Sequence, residues 1–167
     1  MKRYLLIILC LSGLLISPVL KAQTSKKQAS VKVSGEVTTP LDLKLNDMQQ
    51  FTQTEVIHKE KDNKDHTYSG VVLSAILQKA GVTLGKDLRG KNLTKYVLVE
   101  ASDGYRVVFA LAELDKDFTD RTIILASQVD GKLLPPGEGP FRIIVQDEKK
   151  AARCIRQVTN IKVQSAN

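Results

Sequence analysis

The stretch Leu134-Pro135-Pro136-Gly137-Glu138-Gly139-Pro140-Phe141-Arg142 decides how the C-terminal half of this chain folds. Five of its nine residues are proline or glycine, so its first part predicts a loop rather than a helix or a central strand. The apolar run 141–145 follows directly and predicts a buried strand. Arg142 therefore lies where a loop meets a strand, and its planar guanidinium offers paired donors to two oxygens.

A second informative segment, Ser102-Asp103-Gly104-Tyr105, lies between two runs with strand character, 96–99 and 105–109. Asp-Gly between such runs predicts a tight turn that joins two paired strands. We predict that the Tyr105 ring packs near this turn and that its hydroxyl bonds locally, with contact to a ligand as the alternative.

Period-two alternation of apolar residues predicts most of the remaining elements as strands. Residues 71–80 are the exception, because apolar residues recur there at helical spacing and Gly81 follows as a stop signal. Asn46 is predicted to cap a short helix over 47–51, since its side-chain oxygen can accept an amide hydrogen of the first turn. The other predictions are strands over 31–37, 41–45, 122–127 and 158–163, a hairpin over 55–68 with its turn at 62–65, and helical turns at 111–114 and 149–153.

The first 22 residues have the order of a secretory signal, with Lys2 and Arg3, then the apolar run 5–16, then the small residue Ala22. The run is about a dozen residues long, shorter than the roughly 20 that a membrane-spanning helix needs. We therefore predict cleavage after Ala22, no membrane span after cleavage, and export to the periplasm or beyond. The rest is predicted as a flexible lead-in over 23–30, a folded domain over 31–163 and a tail over 164–167.

Strands thus outnumber helices, and the two do not alternate regularly along the chain. This order favours an α+β fold, with a mixed, mainly antiparallel β-sheet and a few short helices, over a doubly wound parallel sheet. The length after the predicted cleavage site is typical of one domain with its own core.

Charge and cysteine content narrow the classes of partner and cofactor. Cleavage would remove three basic residues and lower the formal charge from +7 to +4. Basic and acidic residues are interspersed without aromatic-basic repeats, so nucleic acid is not expected as a partner. Only Cys154 would remain, which excludes an internal disulfide. His58 and His66 flank the predicted hairpin turn and could form a copper or zinc site, but two ligands rarely suffice to hold a metal.

Five segments, taken together and in order, resemble the oxidoreductase molybdopterin-binding domain, which is the fold of the sulfite oxidase family. The resemblance covers residues 31–163, and it is carried by the ordered set rather than by any one segment. It implies a sulfite-oxidase-type fold and a molybdopterin cofactor. The segments are 69–82, 101–105, 125–135, 139–145 and 153–161.

The resemblance also implies how the cofactor would be held. It places a cysteine thiolate, as molybdenum ligand, in the segment before the helix near Val71, yet residues 55–69 contain no cysteine. It also implies a His-Gly pair before Pro-x-Arg, where this chain has Gly137-Glu138-Gly139. We therefore predict that the molybdenum centre is incomplete, with no catalytic or metal-ligating residue assigned. The candidate cofactor-binding or ligand-binding residues are Arg142, Tyr105, Asp103, Gly139 and Arg153.

Several of these residues also have structural interpretations. Arg142 could pair with Glu138 or Asp147 and hold the loop in place. Cys154 is predicted to be a small buried hydrophobe rather than a metal ligand. A further basic group could be an anion-binding edge or a solvated surface, and it comprises Lys149, Lys150, Arg153 and Arg156.

Three classes of function follow. The leading one is an exported domain that binds a pterin-type or other small anionic ligand without a complete molybdenum centre. The alternatives are an active molybdenum oxidoreductase with an atypical ligand set, and a module that docks onto an envelope protein through strand edges and the Glu138 loop. Convergence of Tyr105, Arg142 and residues 149–153 on one concave pocket would favour ligand binding. If Cys154 lined the cleft with Arg142 beside it, the interpretation of the domain as a non-enzyme would have to be withdrawn.

Overall fold

The structure, a computed structural model, describes residues 29–166. The predicted signal sequence, 1–22, and nearly all of the lead-in, 23–30, lie outside the described residues. The strands are β1 (Ser30–Gly35), β2 (Leu41–Lys44), β3 (Gln53–Lys59), β4 (Asp65–Val72), β5 (Lys95–Ala101), β6 (Arg106–Ala110), β7 (Ile123–Val129), β8 (Lys132–Leu133), β9 (Arg142–Val145) and β10 (Val158–Ser165). Helix α1 covers Leu73–Lys79, and 3₁₀ helices cover Leu45–Gln50, Gly85–Asp87, Gly90–Thr94, Leu111–Leu114 and Ala151–Arg153.

These strands form two sheets. The first has the order β2-β1-β10-β5-β6, in which β1 and β10 run parallel and the other neighbours run antiparallel. The second has the order β3-β4-β7-β8, with β9 also paired to β7, and is antiparallel throughout. The predicted α+β class with mixed, mainly antiparallel pairing is confirmed, although the sequence pattern did not separate two sheets.

One contiguous apolar core joins the two sheets. The first sheet contributes alternating side chains such as Val97 and Val99, whereas β7 and β9 are buried on both faces. Helix α1 packs its apolar stripe, with Leu73, Ile76 and Leu77, into the same core. Burial of this stripe is what keeps so short a helix in place, because isolated helices of this length are unstable in water.

The helix predicted over 71–80 begins two residues later than predicted. Val71 and Val72 extend β4 instead, where they pair with Leu125 and Ile124 of β7. Their β-branched side chains favour a strand, and the pairing with β7 makes the strand rather than the helix the stable conformation.

Asn46 does not cap the short helix that follows β2. That helix begins at Leu45, and the Asp47 carboxylate accepts a hydrogen bond from the Lys44 amide at 2.8 Å. The predicted cap was therefore wrong by two residues, because the carboxylate inside the first turn reaches back to the free amide.

The folded part extends slightly beyond the predicted range of 31–163. Ser30 pairs with Lys44, and Ser165 pairs with Lys95, so both terminal strands are longer than predicted. Within residues 29–166 the structure has no helix of the length and hydrophobicity that a membrane crossing requires.

Three neighbouring strands of the second sheet position the functional site. Arg142 of β9 lies opposite Ala126 of β7, which lies opposite Gly70 of β4. A Cβ atom at Gly70 would lie 2.2 Å from the Leu125 carbonyl oxygen. Glycine at this position therefore allows β4 to approach β7 closely, which fixes the strand beside the one that carries Arg142.

Candidate functional site

A cleft of about 500 Å³ opens where the β5–β6 turn meets the β3–β4 turn and the chain between β9 and β10. Backbone and apolar groups form part of its wall, including Ala152 and Ile155. Its charged lining residues are Glu60, Lys61, Asp103, Arg142 and Arg156.

Three of the five predicted site residues line this cleft, namely Arg142, Tyr105 and Asp103. Ala151 and Ala152, from the predicted segment 149–153, line it as well. Tyr105, Arg142 and this segment thus meet at one concave pocket, which is the feature that would favour ligand binding, although the segment contributes alanines rather than its basic side chains.

Gly139 and Arg153, which were also predicted as ligand contacts, do not line the cleft. The Gly139 amide donates to the Pro135 carbonyl at 3.1 Å and is thus engaged within the loop. The Arg153 guanidinium pairs with Glu113 at 2.9 Å and with Glu148 at 2.6 Å. Both residues hold local structure, because their donors are already taken by protein acceptors.

Arg142 is only 1% exposed, and three side chains surround its guanidinium. Its Nη2 lies 2.8 Å from Glu60 Oε1, and its Nη1 donates to Glu138 Oε2 at 2.9 Å and to the Tyr68 hydroxyl at 2.7 Å. The predicted pairing is thus with Glu138 and not with Asp147. The Nε atom is buried and has no partner among the described residues.

Tyr68 connects the two charges of this pair, because its hydroxyl donates to Glu60 Oε1 at 2.8 Å while it accepts from Arg142. Burial acts to raise the pKa of Glu60, yet the hydrogen bond from Tyr68 and the charge of Arg142 outweigh it and hold that pKa below its ordinary value. Burial and the bond to Glu60 raise the pKa of Tyr68 far above its ordinary value. At neutral pH the group is therefore ionic, with a protonated phenol between carboxylate and guanidinium.

Arg156 lies on the outer side of these carboxylates and is about half exposed. Its Nη2 is 3.3 Å from Glu138 Oε1 and 3.9 Å from Glu60 Oε2. Of the predicted basic group 149–156, only this arginine lines the cleft. The predicted anion-binding edge is thus reduced to a single exposed guanidinium, together with the neighbouring ammonium of Lys61.

Tyr105 stands at the mouth of the cleft with 49% of its surface exposed. Its hydroxyl donates to the Ala152 carbonyl at 2.9 Å, and its amide donates to Asp103 Oδ1 at 2.9 Å. The predicted local bond of the hydroxyl was wrong, because the bond crosses to the segment that precedes β10. That contact holds the ring in place while its face stays open to the cleft.

Cys154 is buried, as predicted, with 4% of its surface exposed, but it also lines the cleft together with Arg142. Burial raises the pKa of its thiol, so the protonated form is favoured at neutral pH. A metal ligand or nucleophile needs the thiolate instead. Because Cys154 lines the cleft together with Arg142, the interpretation of this domain as a non-enzyme is withdrawn, and an enzyme remains an alternative.

The sequence patterns did not identify Glu60 or Tyr68 as site residues. Residues 59–65 are all charged or amide-bearing, so nothing in the sequence distinguishes Glu60 from its neighbours. Alternation along β4 was the available signal, because Tyr68 occupies a buried position opposite Val56. A buried tyrosine needs a partner for its hydroxyl, and the turn supplies it.

His58 and His66 lie opposite each other on β3 and β4, as the predicted hairpin requires. His58 is buried. The His66 ring lies between two carboxylates, with its Nδ1 2.7 Å from Asp130 Oδ2 and its Nε2 3.5 Å from Asp62 Oδ2. Over residues 29–166, no three imidazole, thiol or carboxylate side chains gather closely enough to hold a metal ion.

The two-sheet fold is of the sulfite oxidase type. The chain is similar to the sulfane dehydrogenase SoxCD from Paracoccus pantotrophus, with a TM-score of 0.64 and 20% sequence identity. The match covers 83% of this chain and 39% of that one. At this identity the likeness establishes the fold, and the chain spans well under half of that structure.

The chain belongs to the oxidoreductase molybdopterin binding domain family, whose pattern matches residues 18–167. No curated protein matches it significantly. Both the family resemblance and the fold class predicted from the sequence are thus confirmed.

In the segment where the family resemblance implies a thiolate, the chain presents a carboxylate to the cleft instead. Within residues 55–69, where the family resemblance implies the thiolate, Glu60 faces the cleft and is bonded to Arg142 and Tyr68. The single thiol of the described residues, Cys154, is buried and lies outside this segment. No redox step is therefore assigned to this cleft.

Proposed function

We propose that this domain binds a small ligand, of pterin type or of another small anionic class, without a thiolate-held molybdenum centre. The convergence of Arg142, Tyr105 and Asp103 on one cleft carries the proposal. A concave site with a few convergent polar groups is the usual form of a small-molecule site.

The chemistry of the cleft supports a planar ligand with an acidic group. The fixed and half-exposed ring of Tyr105 offers a face for stacking. Lys61 and Arg156 supply exposed positive charge nearby, and Arg142 supplies a buried guanidinium at the floor. An acidic group would therefore meet cations within reach of the ring that stacks on Tyr105.

Titration with pterin-6-carboxylate, a metal-free planar acid, tests this proposal by calorimetry or pterin fluorescence. Replacement of Tyr105 by alanine should weaken binding by about fivefold, because a stacked aromatic pair contributes about 1 kcal/mol. Phe118→Ala is the matched control, since Phe118 is also 49% exposed but does not line the cleft. Equal affinities of the wild type and Tyr105→Ala, or no binding by either, would contradict the proposal.

We also propose that the domain is exported, which the order of charged, apolar and small residues over 1–22 supports. Fractionation of the native host and sequencing of the mature N-terminus test this point. The expected product begins at Gln23 and is found in the periplasm or outside the cell. A cytoplasmic product that begins at Met1 would overturn it.

A molybdenum oxidoreductase with an atypical ligand set is the second candidate, and the position of Cys154 in the cleft favours it. Elemental analysis of the protein from its native host distinguishes the two candidates. Stoichiometric molybdenum and pterin, lost on Cys154→Ser, would establish the second candidate. Their absence, in a host that loads other molybdoenzymes, would leave the binding domain.

A further inference from the structure

The carboxylate of Glu138 bridges two arginines in the wall of the cleft. Its Oε2 lies 2.9 Å from Arg142 Nη1, and its Oε1 lies 3.3 Å from Arg156 Nη2. Each oxygen thus meets a different guanidinium, which is how paired arginines hold an oxyanion. The protein's own side chain occupies a place that suits a carboxylate or phosphate of a ligand.

The second carboxylate of this group, Glu60, is held more firmly than Glu138. Glu60 is 15% exposed on its side chain and receives a hydrogen bond from Tyr68, whereas Glu138 is 25% exposed and is bonded through its side chain to the arginines alone. Glu138 is also part of the loop before β9 and follows Gly137, which has a φ of 90°. Of the two carboxylates, Glu138 is therefore the one that can give up its contacts with the arginines.

The backbone at Glu138 can stay in place while its side chain moves. Its amide donates to the Pro135 carbonyl at 3.1 Å, and its carbonyl accepts from the Gln157 amide at 2.9 Å. A second cavity of about 320 Å³ is lined by Glu138 and Arg156 and offers space for the released carboxylate. Only side-chain rotation is required.

We propose that the oxyanion of a ligand replaces the Glu138 carboxylate between Arg142 and Arg156, so that Glu138 sets the affinity and selectivity of the site by competition. This inference rests on the proposed function and specifies its ligand as one that carries a carboxylate or phosphate. The exchange leaves Arg142 paired throughout, because one anion replaces another. A neutral ligand cannot make the exchange, since it would leave the guanidinium pair with one carboxylate fewer.

Glu138→Gln tests the inference, because it removes the competing charge and keeps the shape of the side chain. Inorganic phosphate and benzoate serve as separate probes, titrated by calorimetry at constant low chloride. Each should bind the variant about tenfold more tightly than the wild type, the usual size of one charge-assisted contact. Glu113→Gln is the matched control, because Glu113 pairs with Arg153 outside the cleft, and it should leave the affinity unchanged.

The arginine side of the subsite provides an independent test that does not depend on the stability of the Glu138 variant. Arg156 is 46% exposed, so Arg156→Met should fold normally. It should weaken phosphate and benzoate binding in the wild type and remove the gain in the Glu138→Gln background. A gain that survives Arg156→Met would overturn the inference.

The failure of this inference can be told apart from failure of the proposed function. If pterin-6-carboxylate binds the wild type with the expected Tyr105 dependence, but Glu138→Gln binds neither probe more tightly, the cleft is a ligand site and the exchange is refuted. If no variant binds pterin-6-carboxylate, phosphate or benzoate, both are refuted. Preference of the variant for phosphate over benzoate, or the reverse, identifies the kind of oxyanion.

Discussion

Arg142 Nη2 and Glu60 Oε1 lie 2.8 Å apart at the floor of the cleft, in an ion pair that joins β9 to the turn between β3 and β4. Glu60 belongs to the segment that the family resemblance associates with a metal-binding thiolate. The buried cation is therefore neutralised by a carboxylate of the protein itself.

Loss of the buried arginine should destabilise the fold strongly. Arg142→Met leaves Glu60 and Glu138 without their buried partner, and breaking such a pair costs about 3 kcal/mol. Urea unfolding measures the loss. Arg106→Met is the control, because Arg106 forms a surface pair with Glu100 and should contribute less than about 1 kcal/mol. Equal losses of unfolding free energy in the two variants would mean that the buried ion pairs of Arg142 do not stabilise the fold.

The Tyr68 hydroxyl should contribute more to stability than an exposed tyrosine hydroxyl. Tyr68→Phe removes one group that donates to Glu60 and accepts from Arg142, both charged, so we expect a loss of about 2 kcal/mol in unfolding free energy. Tyr105→Phe removes one exposed bond to a carbonyl and should cost about 0.5 kcal/mol. A loss below that of Tyr105→Phe would contradict the buried network.

The two histidines should titrate on opposite sides of their ordinary pKa. The hydrogen bond with Asp130, followed by that with Asp62, raises the pKa of His66 above 6.5. Burial lowers the pKa of His58 below the same value. Imidazole NMR signals, assigned with His66→Gln, measure both midpoints. Midpoints in the reverse order would contradict the burial and pairing described above.

The raised pKa of His66 also predicts the sign of a pH effect on stability. Protonated His66 is favoured in the folded state, so its contribution is complete below the unfolded value of about 6.5 and is lost as the pH rises through the folded pKa. The difference in unfolding free energy between the wild type and His66→Gln should therefore shrink from pH 6 upward. A difference that grows with pH would refute the pairing with Asp130.

Cys154 should be unreactive until the fold opens. Burial both raises the pKa of its thiol and shields it, so alkylation of the native protein should be at least about 100-fold slower than in urea, if opening costs about 3 kcal/mol. Peptide mapping assigns the modified cysteine. Rapid alkylation of native Cys154 would instead support the metal-ligand role of the second candidate function.

Gly70 should tolerate no side chain. Alanine there would place its Cβ 2.2 Å from the Leu125 carbonyl oxygen, so β4 and β7 must separate, and we expect a loss of at least about 3 kcal/mol. Gly104→Ala is the control, because its space is open and only its positive φ of 85° is unfavourable, which costs about 1 kcal/mol. Similar unfolding midpoints for the two variants would contradict the close approach.

Local patterns anticipated most of the secondary structure. Alternation predicted the strands that became β1, β5, β6, β7 and β10, and the Asp-Gly pair at 103–104 was predicted as a turn and lies between paired strands. Such features depend on neighbours along the chain. Helix α1 begins two residues later than predicted because Val71 and Val72 pair with β7. A pattern of neighbouring residues contains no information about such a distant partner.

The site was predicted less completely than the fold. Arg142, Tyr105 and Asp103 were predicted from the segments that carry the family resemblance, and they line one cleft. Glu60 was not recognised because it lies in a turn of charged residues. Arg153 was predicted as a ligand contact, but its ion pairs with Glu113 and Glu148 hold it outside the cleft. Which carboxylate reaches which guanidinium depends on contacts between residues far apart in sequence.

The sequence by itself determined the class of fold, the family, the turns and the absence of a cysteine before α1, since these follow from composition, periodicity and motif order. The tertiary structure alone decided that Glu60, Tyr68, Glu138 and Arg142 form one ionic network and that Cys154 faces the same cleft. Charged side chains look alike in a sequence whether they are solvated or paired. Burial separates the two cases, because a charge removed from water requires a partner that the folded chain must bring to it.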